Sequence, residues 1–411
     1  MVNSLGLGAR AVPRRESLYG RWMVGYTHGD GRICELAAGV AVGQSFKNKG
    51  GDRGASDGGP VMRDLFEEPV ARPSPRHIHV KPGEPRPSEV FATYWRFAAL
   101  RQDLFFEKLR QPNGRPWTND VILAKHRFTN AYRASDRVSQ YLIRNVIYTD
   151  DPSLQQPEEV FFRTILFKLF NKIETWELLE RHLGCVRWSE YSFERYNGIL
   201  NAAMEAGNRI YSAAYIMASA KSAFGHDRKH ANHLCLLERM MADRLPERFH
   251  QAQPGLAEVY ETIVGYPSIG PFLAYQYAID LNYGPLLSAS ENDFVKAGPG
   301  ALDGIAKCFS DLGDYSPEDV IRWMRDRQHE EFDRLGLRFQ NLWGRDLTLI
   351  DCQNLFCETD KYARVVHPEF KGLSNRTRIK QTYRPTPGAI GYRYPPKWGL
   401  NDAIEEWEKT L

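Results

Sequence analysis

The spacing of apolar residues from Ser88 to about Leu342 constrains the fold more than any other feature of the chain. Over this stretch they recur every three or four positions, as on the buried face of an amphipathic α-helix. After Pro157, for example, one helix face collects Phe162, Ile165, Leu166, Leu169, Phe170 and Ile173. No run alternates between apolar and polar residues for long enough to form a buried sheet. We therefore predict an all-α body.

Local start signals support this prediction. Ser88 can cap a helix, and Pro157 suits the first helical position, where its missing N–H is not needed. Ser316 precedes a proline and two acidic residues, which predicts a long helix that continues through Arg334. Near the end of the chain, Asn401 is expected to cap a short acidic helix.

Residues 1–87 have a different composition and are predicted to form a weakly ordered extension. They contain a glycine-rich polar stretch at 47–60 and a proline-studded link at 69–87, with room for a short hairpin near 19–34. Residues 39–45 loosely resemble a phosphate-binding loop. However, Gln44 stands where a lysine should precede the serine, and the glycines are too close together, so we reject that interpretation.

The composition is that of an ordinary globular protein, with 42% hydrophobic and 26% charged residues. No apolar run reaches the roughly 18 residues that a membrane span requires. Arg10, Arg14 and Arg15 interrupt the N-terminus, so no signal peptide is expected. The six cysteines show no repeating spacing, which favours reduced thiols and a cytoplasmic location over a disulfide framework.

The formal net charge of +3 hides an uneven distribution. Residues 361–400 hold nine Lys or Arg against one acid, whereas residues 65–360 carry a net negative charge. A basic segment beside an acidic body suggests a polyanionic partner, and a solvated basic surface is the alternative. We predict that residues 343–411 form a basic C-terminal segment, packed as extended or short helical pieces on a helical domain of residues 88–342.

The sharpest local motif is the turn at residues 265–270, between two apolar-periodic segments. A tight Gly/Pro turn followed by a helix N-terminus is typical of a helix-hairpin-helix, whose backbone N–H groups bind a DNA phosphate. A plain corner between two helices would use the same residues and is the alternative. Ser268 stands where such hairpins prefer glycine.

Asp293 lies 23 residues after Gly270 and is followed by a second glycine turn at 298–300. Helix-hairpin-helix DNA glycosylases place a catalytic aspartate at a similar distance, so residues 255–310 resemble that superfamily. We predict Asp293 as a catalytic carboxylate. The alternative is that Asp293 caps a helix beginning at Phe294.

Two features of the glycosylases are missing. Pro271 and Phe272 stand where bifunctional members have a lysine, so a Schiff-base lyase is not expected. Cys352 and Cys357 are the only close cysteine pair, too few for an iron–sulfur cluster.

The nearest approach to a zinc-site spacing is a set of three histidines, His226, His230 and His233. We interpret that set as a solvated or DNA-facing basic helix, and we expect no metal.

Three stretches mix Asn, Arg, Lys and acids with aromatic residues: 127–137, 167–176 and 351–364. Such side chains suit a polar cleft in which buried charges pair, although surface ion-pair faces explain them equally well. From these stretches we select six candidate contacts for a substrate phosphate or carboxylate: Arg133, Arg137, Lys168, Lys172, Lys361 and Arg364.

These stretches, with the hairpin and the segments 298–304 and 370–378, resemble the α-glutamyl/putrescinyl thymine pyrophosphorylase family, which includes phage amino acid:DNA transferases. A related helical domain accompanies the 5-hydroxymethyluracil DNA kinases. The resemblance covers about residues 88–385. It implies a helix-hairpin-helix, DNA-glycosylase-like helical domain that acts on hypermodified thymine. The kinases carry a separate phosphate-loop domain, which we do not find in this chain, so kinase activity is not expected.

The resemblance implies an enzyme that transfers an amine or amino acid onto a (pyro)phosphorylated 5-hydroxymethyluracil in double-stranded DNA, with loss of (pyro)phosphate. Asp293 would take the amine proton, and the six cations would contact the leaving group or the amino acid carboxylate. DNA contacts are expected from Ser268, Ile269, Gly270, Arg376, Arg378 and Lys380. We expect no cofactor and no membrane partner. A base-excision DNA glycosylase and a non-catalytic DNA-binding module are the alternatives.

Overall fold

The computed structural model describes residues 80–384 and 391–411, and these ranges are mostly helical. Their α-helices are α1 (Glu89–Arg110), α2 (Val121–Lys125), α3 (Arg137–Tyr141), α4 (Pro157–Phe170), α5 (Ile173–Leu183), α6 (Phe193–Glu205), α7 (Lys221–Phe224), α8 (Lys229–Ala242), α9 (Leu245–Ala252), α10 (Leu256–Val264), α11 (Pro271–Tyr283), α12 (Pro299–Cys308), α13 (Pro317–Asp326), α14 (Gln328–Arg334), α15 (Leu349–Val366) and α16 (Asn401–Glu408). The prediction of an all-α body is confirmed for these residues. The hairpin proposed at 19–34 and the loop at 39–45 lie outside them.

Irregular helical turns and one small sheet complete the described chain. The turns are 3₁₀ helices at Arg133–Ser135, Pro152–Gln155 and Pro396–Trp398, and a π-helix at Leu142–Ile147. Two short strands, β1 (Arg86–Pro87) and β2 (Phe309–Asp311), pair antiparallel. Through this pairing the chain before α1 is fastened to the end of α12.

Most of the local start signals act as predicted. The Ser88 side chain accepts a hydrogen bond from the Val90 N–H at the start of α1, and Pro157 occupies the first turn of α4. Ser316 and Asp319 form a capping box. The helix predicted to run through Arg334 is instead two helices, α13 and α14, because the backbone leaves the helical region at Arg327.

The predicted cap at Asn401 is wrong. Asn401 is the first residue of α16, and its side chain bonds both backbone groups of Tyr394 instead. Its amide thereby ties α16 to the preceding loop.

Helices α4 and α11 lie at the centre of the molecule. Every residue from Leu273 to Tyr283 is buried, and so is nearly all of α4. A helix that is buried on all sides must be surrounded by others, and α11 packs on α10 and α4, which also contacts α8 and α9. The charged side chains in the buried parts of these helices, such as Lys168 and Asp280, are therefore removed from water.

A second layer is built around α15, which packs against α12, α1 and α13. Its 18 residues form one long helix inside the segment 343–411, where we expected extended or short helical pieces. It begins with a capping box of Thr348 and Asp351. The basic residues that follow Val366 are thus attached to a buried helix.

Candidate functional site

The hairpin motif forms a tight turn between α10 and α11. Ser268 adopts a left-handed conformation with φ of 66°. That conformation explains why glycine suits this position in such hairpins, since a β-carbon is disfavoured there. Gly270 follows as the N-cap of α11, and Pro271 occupies its first turn. In the described residues no acceptor takes the N–H of Ser268 or Gly270. The turn therefore offers two free donors beside a helix N-terminus, an arrangement that suits an anion.

Ile269 points into the molecule, unlike its neighbours Ser268 and Gly270 in the turn. Its side chain is buried, and its N–H donates to the Tyr266 carbonyl at 3.3 Å. The Tyr266 hydroxyl in turn donates to Asp243 at 2.8 Å. Ile269 and Tyr266 thus hold the turn in place, while Ser268 and Gly270 face outward.

Asp293 lies in the loop between α11 and α12, with its side chain exposed. No helix begins at Phe294, because the chain stays irregular until α12 starts at Pro299, so the capping alternative is wrong. The Phe294 ring packs against Tyr260 of α10 and Tyr275 of α11, with centroid distances of 5.0 and 5.9 Å. Asp293 is therefore fixed beside both helices of the hairpin.

Two ion pairs anchor the ends of this loop. Buried Glu291 bonds Arg345 at 2.9 Å, and Lys296 pairs with Glu318 at 3.2 Å. Within the described chain, the Asp293 carboxylate has no hydrogen bond or ion pair. A solvent-facing carboxylate on an anchored loop is available to a substrate.

Arg133 and Lys168, two of the predicted substrate contacts, meet at one buried carboxylate, Asp280. Arg133 binds both Asp280 oxygens at 2.8 and 3.0 Å, and the Lys168 ammonium lies 3.1 Å from one of them. Gln276 and the Tyr283 hydroxyl bond Arg133 as well. Burial would raise the pKa of Asp280, but the two cations outweigh it and hold that pKa below its usual value.

Asp280 is a site residue that the sequence analysis missed. Its signal was a lone aspartate in an otherwise apolar helix, a position where a carboxylate needs a charged partner. Two neighbouring buried polar atoms have no partner in the described residues, Tyr275 Oη and Gln276 Nε2. The Tyr215 ring lies 4.9 Å from the Lys168 ammonium and stacks on Phe272 of α11.

Arg364 belongs to a second cluster of the same kind. Asp360 pairs with Lys307 at 2.9 Å and with Arg364, and all three side chains are largely buried. Lys361 pairs with Glu358 at 2.7 Å, and the same carboxylate accepts the Thr129 N–H. Most of the charge of these side chains is paired inside the molecule, as the polar-cleft interpretation expects of buried charges, but a substrate cleft beside them stays a prediction.

The two other predicted contacts are more accessible. Arg137 is exposed at the start of α3. Lys172 is half-buried, donates to the Arg209 carbonyl at 2.5 Å and lies 3.9 Å from Glu174. The structure does not bring Arg137 and Lys172 into either cluster within the described residues.

The segment from Lys371 to Arg384, which we call the basic arm, crosses the surface in an extended path. Its cations are all exposed: Lys371, Arg376, Arg378, Lys380 and Arg384. Ser374 fastens its start, because both its N–H and its hydroxyl donate to buried Asp303. Arg364 bonds the Arg378 carbonyl at 3.0 Å. None of these five cations pairs with a carboxylate of the described residues.

The histidine-rich helix was interpreted wrongly. His230 and His233 of α8 are fully buried, so they face neither solvent nor DNA. Burial lowers the pKa of each ring to about 4, which leaves both neutral near pH 7. The one group in the described residues with metal-ligand spacing is Glu89, His367 and Glu369, all near the surface.

None of the helices in the described ranges is both long and apolar enough to cross a bilayer.

Residues 88–372 match the protein family described as "5-hmdU DNA kinase, helical domain". The 5-hmdU DNA kinase of Bacillus phage SP10 is 28% identical over 279 residues, which cover 64% of this chain and 43% of the phage protein. The chain thus aligns with less than half of that relative's length. No solved structure matches, so the likeness to DNA glycosylases stays a prediction. The narrower assignment to the thymine pyrophosphorylases and amino acid:DNA transferases is also still a prediction. Because the match includes the hairpin, Asp293, both buried clusters and most of the chain, this protein belongs to the family of 5-hmdU DNA kinase helical domains.

Proposed function

We propose that this protein modifies a 5-hydroxymethyluracil-type base in DNA, by transferring an amine or amino acid onto its (pyro)phosphorylated form. The observation that carries the proposal is the family match, since its range includes every candidate residue except the three in the basic arm, Arg376, Arg378 and Lys380. The phage relative is by its name a kinase. We favour a step that uses a phosphorylated base over one that phosphorylates it, because residues 88–385 resemble the thymine pyrophosphorylase and amino acid:DNA transferase family.

The chemistry is a substitution at the exocyclic methylene carbon of the base. The amine nitrogen forms a bond to that carbon while the carbon–oxygen bond breaks, and phosphate or pyrophosphate leaves with the electron pair. The attacking nitrogen must lose a proton. We propose that Asp293 accepts this proton, because its carboxylate is exposed, held on an anchored loop and free of other partners in the described residues.

The departing phosphate needs positive charge. Each buried cluster has two cations for one carboxylate, Arg133 and Lys168 at Asp280 and Lys307 and Arg364 at Asp360. We propose that this excess charge favours an anion nearby, as positioned cations do in phosphoryl-transfer sites. Arg137, Lys172 and Lys361 lie outside these two clusters and are assigned the same role.

DNA is held, in this proposal, by the hairpin and the basic arm. The free N–H groups of Ser268 and Gly270 would bind one phosphate, with Ile269 fixing the turn from inside. Arg376, Arg378 and Lys380 would bind further phosphates. The base would be turned out of the duplex, as is usual for enzymes that do chemistry on a base, so that a pocket can enclose its reacting carbon.

The test is mass spectrometry of nucleosides from a duplex carrying phosphorylated 5-hydroxymethyluracil, incubated with protein and a panel of amines. We expect a heavier base that is retained in the DNA. Asp293→Asn should reduce turnover by about 100-fold or more, with unchanged DNA affinity and melting temperature. Asp333→Asn, at another exposed carboxylate, is the matched control and should behave as wild type.

Two outcomes would contradict the proposal. Abasic sites in place of a modified base would show excision, which is the glycosylase alternative. Binding with no product for any amine would show a DNA-binding module. Wild-type turnover by Asp293→Asn would show that Asp293 is not the proton acceptor, while the proposed reaction itself would stand.

A further inference from the structure

The end of the basic arm pairs with the chain that leaves α2. The Arg127 N–H donates to the Gln381 carbonyl at 3.0 Å, and the Tyr383 N–H donates to the Lys125 carbonyl at 2.9 Å. His126 and Thr382 form the antiparallel bridge between these two bonds. Side chains alternate in such a pairing, so Lys125, Arg127 and Tyr383 lie on one face.

Tyr383 connects this face to a cluster at the end of α1. The Lys108 ammonium donates to the Tyr383 hydroxyl at 3.1 Å and lies 4.5 Å from the centre of that ring. It also lies 5.2 Å from the Trp117 ring, over which the Arg115 guanidinium sits at 4.8 Å. We call this surface the aromatic–basic patch: Lys108, Arg115, Trp117, Lys125, Arg127 and Tyr383.

The four cations of the patch are not neutralised. None of them forms an ion pair with a carboxylate of the described residues. The two carboxylates near the patch in sequence have other partners: Glu107 pairs with Arg110 at 2.8 Å, and Asp120 caps α2 and accepts the Tyr362 hydroxyl. Burial, and then the repulsion of Arg101 and Arg115, lower the pKa of Lys108 to about 8. Like charges are therefore crowded here without an internal counterion, and a bound anion would relieve their repulsion.

We propose that the aromatic–basic patch binds the phosphate backbone of the DNA that flanks the modified base. The patch is continuous with the basic arm through Tyr383, so one strand can follow both surfaces. Cations interleaved with aromatic rings are typical of proteins that track a nucleic acid strand. The inference rests on the proposed function for the identity of the polyanion, but it predicts binding that needs neither a modified base nor turnover.

The test measures affinity for unmodified, dye-labelled DNA duplexes of two lengths, about 10 and about 30 base pairs, over a series of salt concentrations. Lys125→Gln combined with Arg127→Gln removes two exposed cations, while the backbone pairing to residues 381–383 is kept. On the long duplex, the slope of log affinity against log salt should become shallower by about 1.8, or about 0.9 for each phosphate that the variant no longer binds. On the short duplex, which offers fewer phosphates, the change in slope should be no larger.

The matched control is Arg181→Gln combined with Lys221→Gln, two exposed cations on α5 and α7. It changes the net charge equally and should leave the salt slope unaltered. A wild-type slope for the patch variant, or an equal change in the control, would overturn the proposal. Lys108→Gln gives a second measurement at the partly buried cation, with a thermal melt to verify its fold.

The experiments distinguish a failure of the patch inference from a failure of the proposed reaction. If the patch variant binds long DNA as wild type does but the enzyme still forms product, the patch inference alone is wrong. If no amine yields product but the salt slope changes as expected, the patch stands and the proposed chemistry does not.

Discussion

Asp280 faces two cations from other parts of the chain, whereas Asp360 faces Lys307 of α12 and Arg364 four positions along its own helix; both carboxylates are nearly inaccessible to water. Removing charges from water is costly, and the cost is recovered only when the partners are positioned well. Arg133 reaches its carboxylate from 147 positions away in sequence. At the scale of single residues, these pairings hold segments of the chain together, and each cluster has two cations for one carboxylate.

The burial of His230 lowers the stability of the folded protein. Both its ring nitrogens are buried without a hydrogen-bond partner in the described residues. His233, by contrast, is satisfied as a neutral ring, because Nε2–H can donate to the Ala218 carbonyl while Nδ1 accepts from Tyr211. We expect His230→Leu to raise the stability at pH 7.5 by about 1 kcal/mol, since it removes unsatisfied polar atoms.

The same variant tests the pH dependence. Because the folded pKa of His230 is about 4 and the unfolded value is about 6.5, the unfolded chain binds more protons between these values. Stability should therefore fall as the pH is lowered through this window, and the fall should be smaller in His230→Leu. Thermal melts at pH 7.5 and 5 measure both effects. His182→Gln, at an exposed histidine of α5, should change neither; an unchanged pH dependence in His230→Leu would contradict the assignment.

At the scale of elements, the closest approach is between α12 and α15. A β-carbon on Gly304 would lie 2.1 Å from the Phe356 carbonyl oxygen, and one on Gly300 would lie 2.3 Å from the Cys357 sulfur. Gly300 and Gly304 are four positions apart and share one face of α12. The absence of side chains there allows α15 to pack against α12 backbone to backbone.

Gly304→Ala should therefore destabilise the protein by about 1–3 kcal/mol, because the helices must separate to admit the methyl group. Gly198→Ala in α6 is the matched control, since its β-carbon would meet nothing within 4 Å. It should stabilise by up to about 1 kcal/mol, through the better helix propensity of alanine. Chemical denaturation gives both values, and equal effects of the same sign would refute the argument.

The hairpin yields a prediction about binding. Gly270→Val places a side chain in open space beside the free N–H groups, so it should block a phosphate without disturbing the fold. Gly255→Val is the matched control, because Gly255 is also a helix N-cap with an extended backbone and open space around it. Both should lose about 1 kcal/mol of stability. Only Gly270→Val should weaken binding to duplex DNA, by about tenfold or more, as read by anisotropy.

At the scale of the whole molecule, the charge is distributed so that an acidic body carries a basic surface. The body has a net negative charge over residues 65–360, whereas the basic arm is fastened to it by Ser374 at one end and Thr382 at the other. An arm fixed at both ends presents its cations in a defined order. Ordering them in the folded state reduces the entropic cost of binding.

Changing Arg376, Arg378 and Lys380 together to Gln should weaken DNA binding and make its salt slope shallower by up to about 0.9 for each phosphate that is no longer bound. Substitution is preferable to deletion, because the backbone of the arm anchors it to the body. The control changes three exposed cations elsewhere: Arg181, Lys221 and Lys409 to Gln. An unaltered slope in the arm variant would make the basic arm a solvated surface.

The sequence by itself determined the features that depend on near neighbours. Ser88, Pro157 and Ser316 begin helices because capping involves residues only a few positions apart. The turn at 265–270 was recognisable for the same reason, and its Ser268 adopts the backbone conformation that glycine usually supplies. The break at Arg327 was missed because no glycine or proline marks it, although no apolar residue occurs between Met324 and Phe332.

Only the tertiary structure decided which charges are buried and what they face. Arg133 and Lys168 were recognised as candidates, but their meeting at Asp280 depends on how α4 and α11 pack. The burial of His230 and the route of the basic arm across α2 were equally inaccessible from local patterns. The physical reason is that an ionisable side chain has the same local signature whether water or a distant partner surrounds it. Its environment is set by residues more than a hundred positions away.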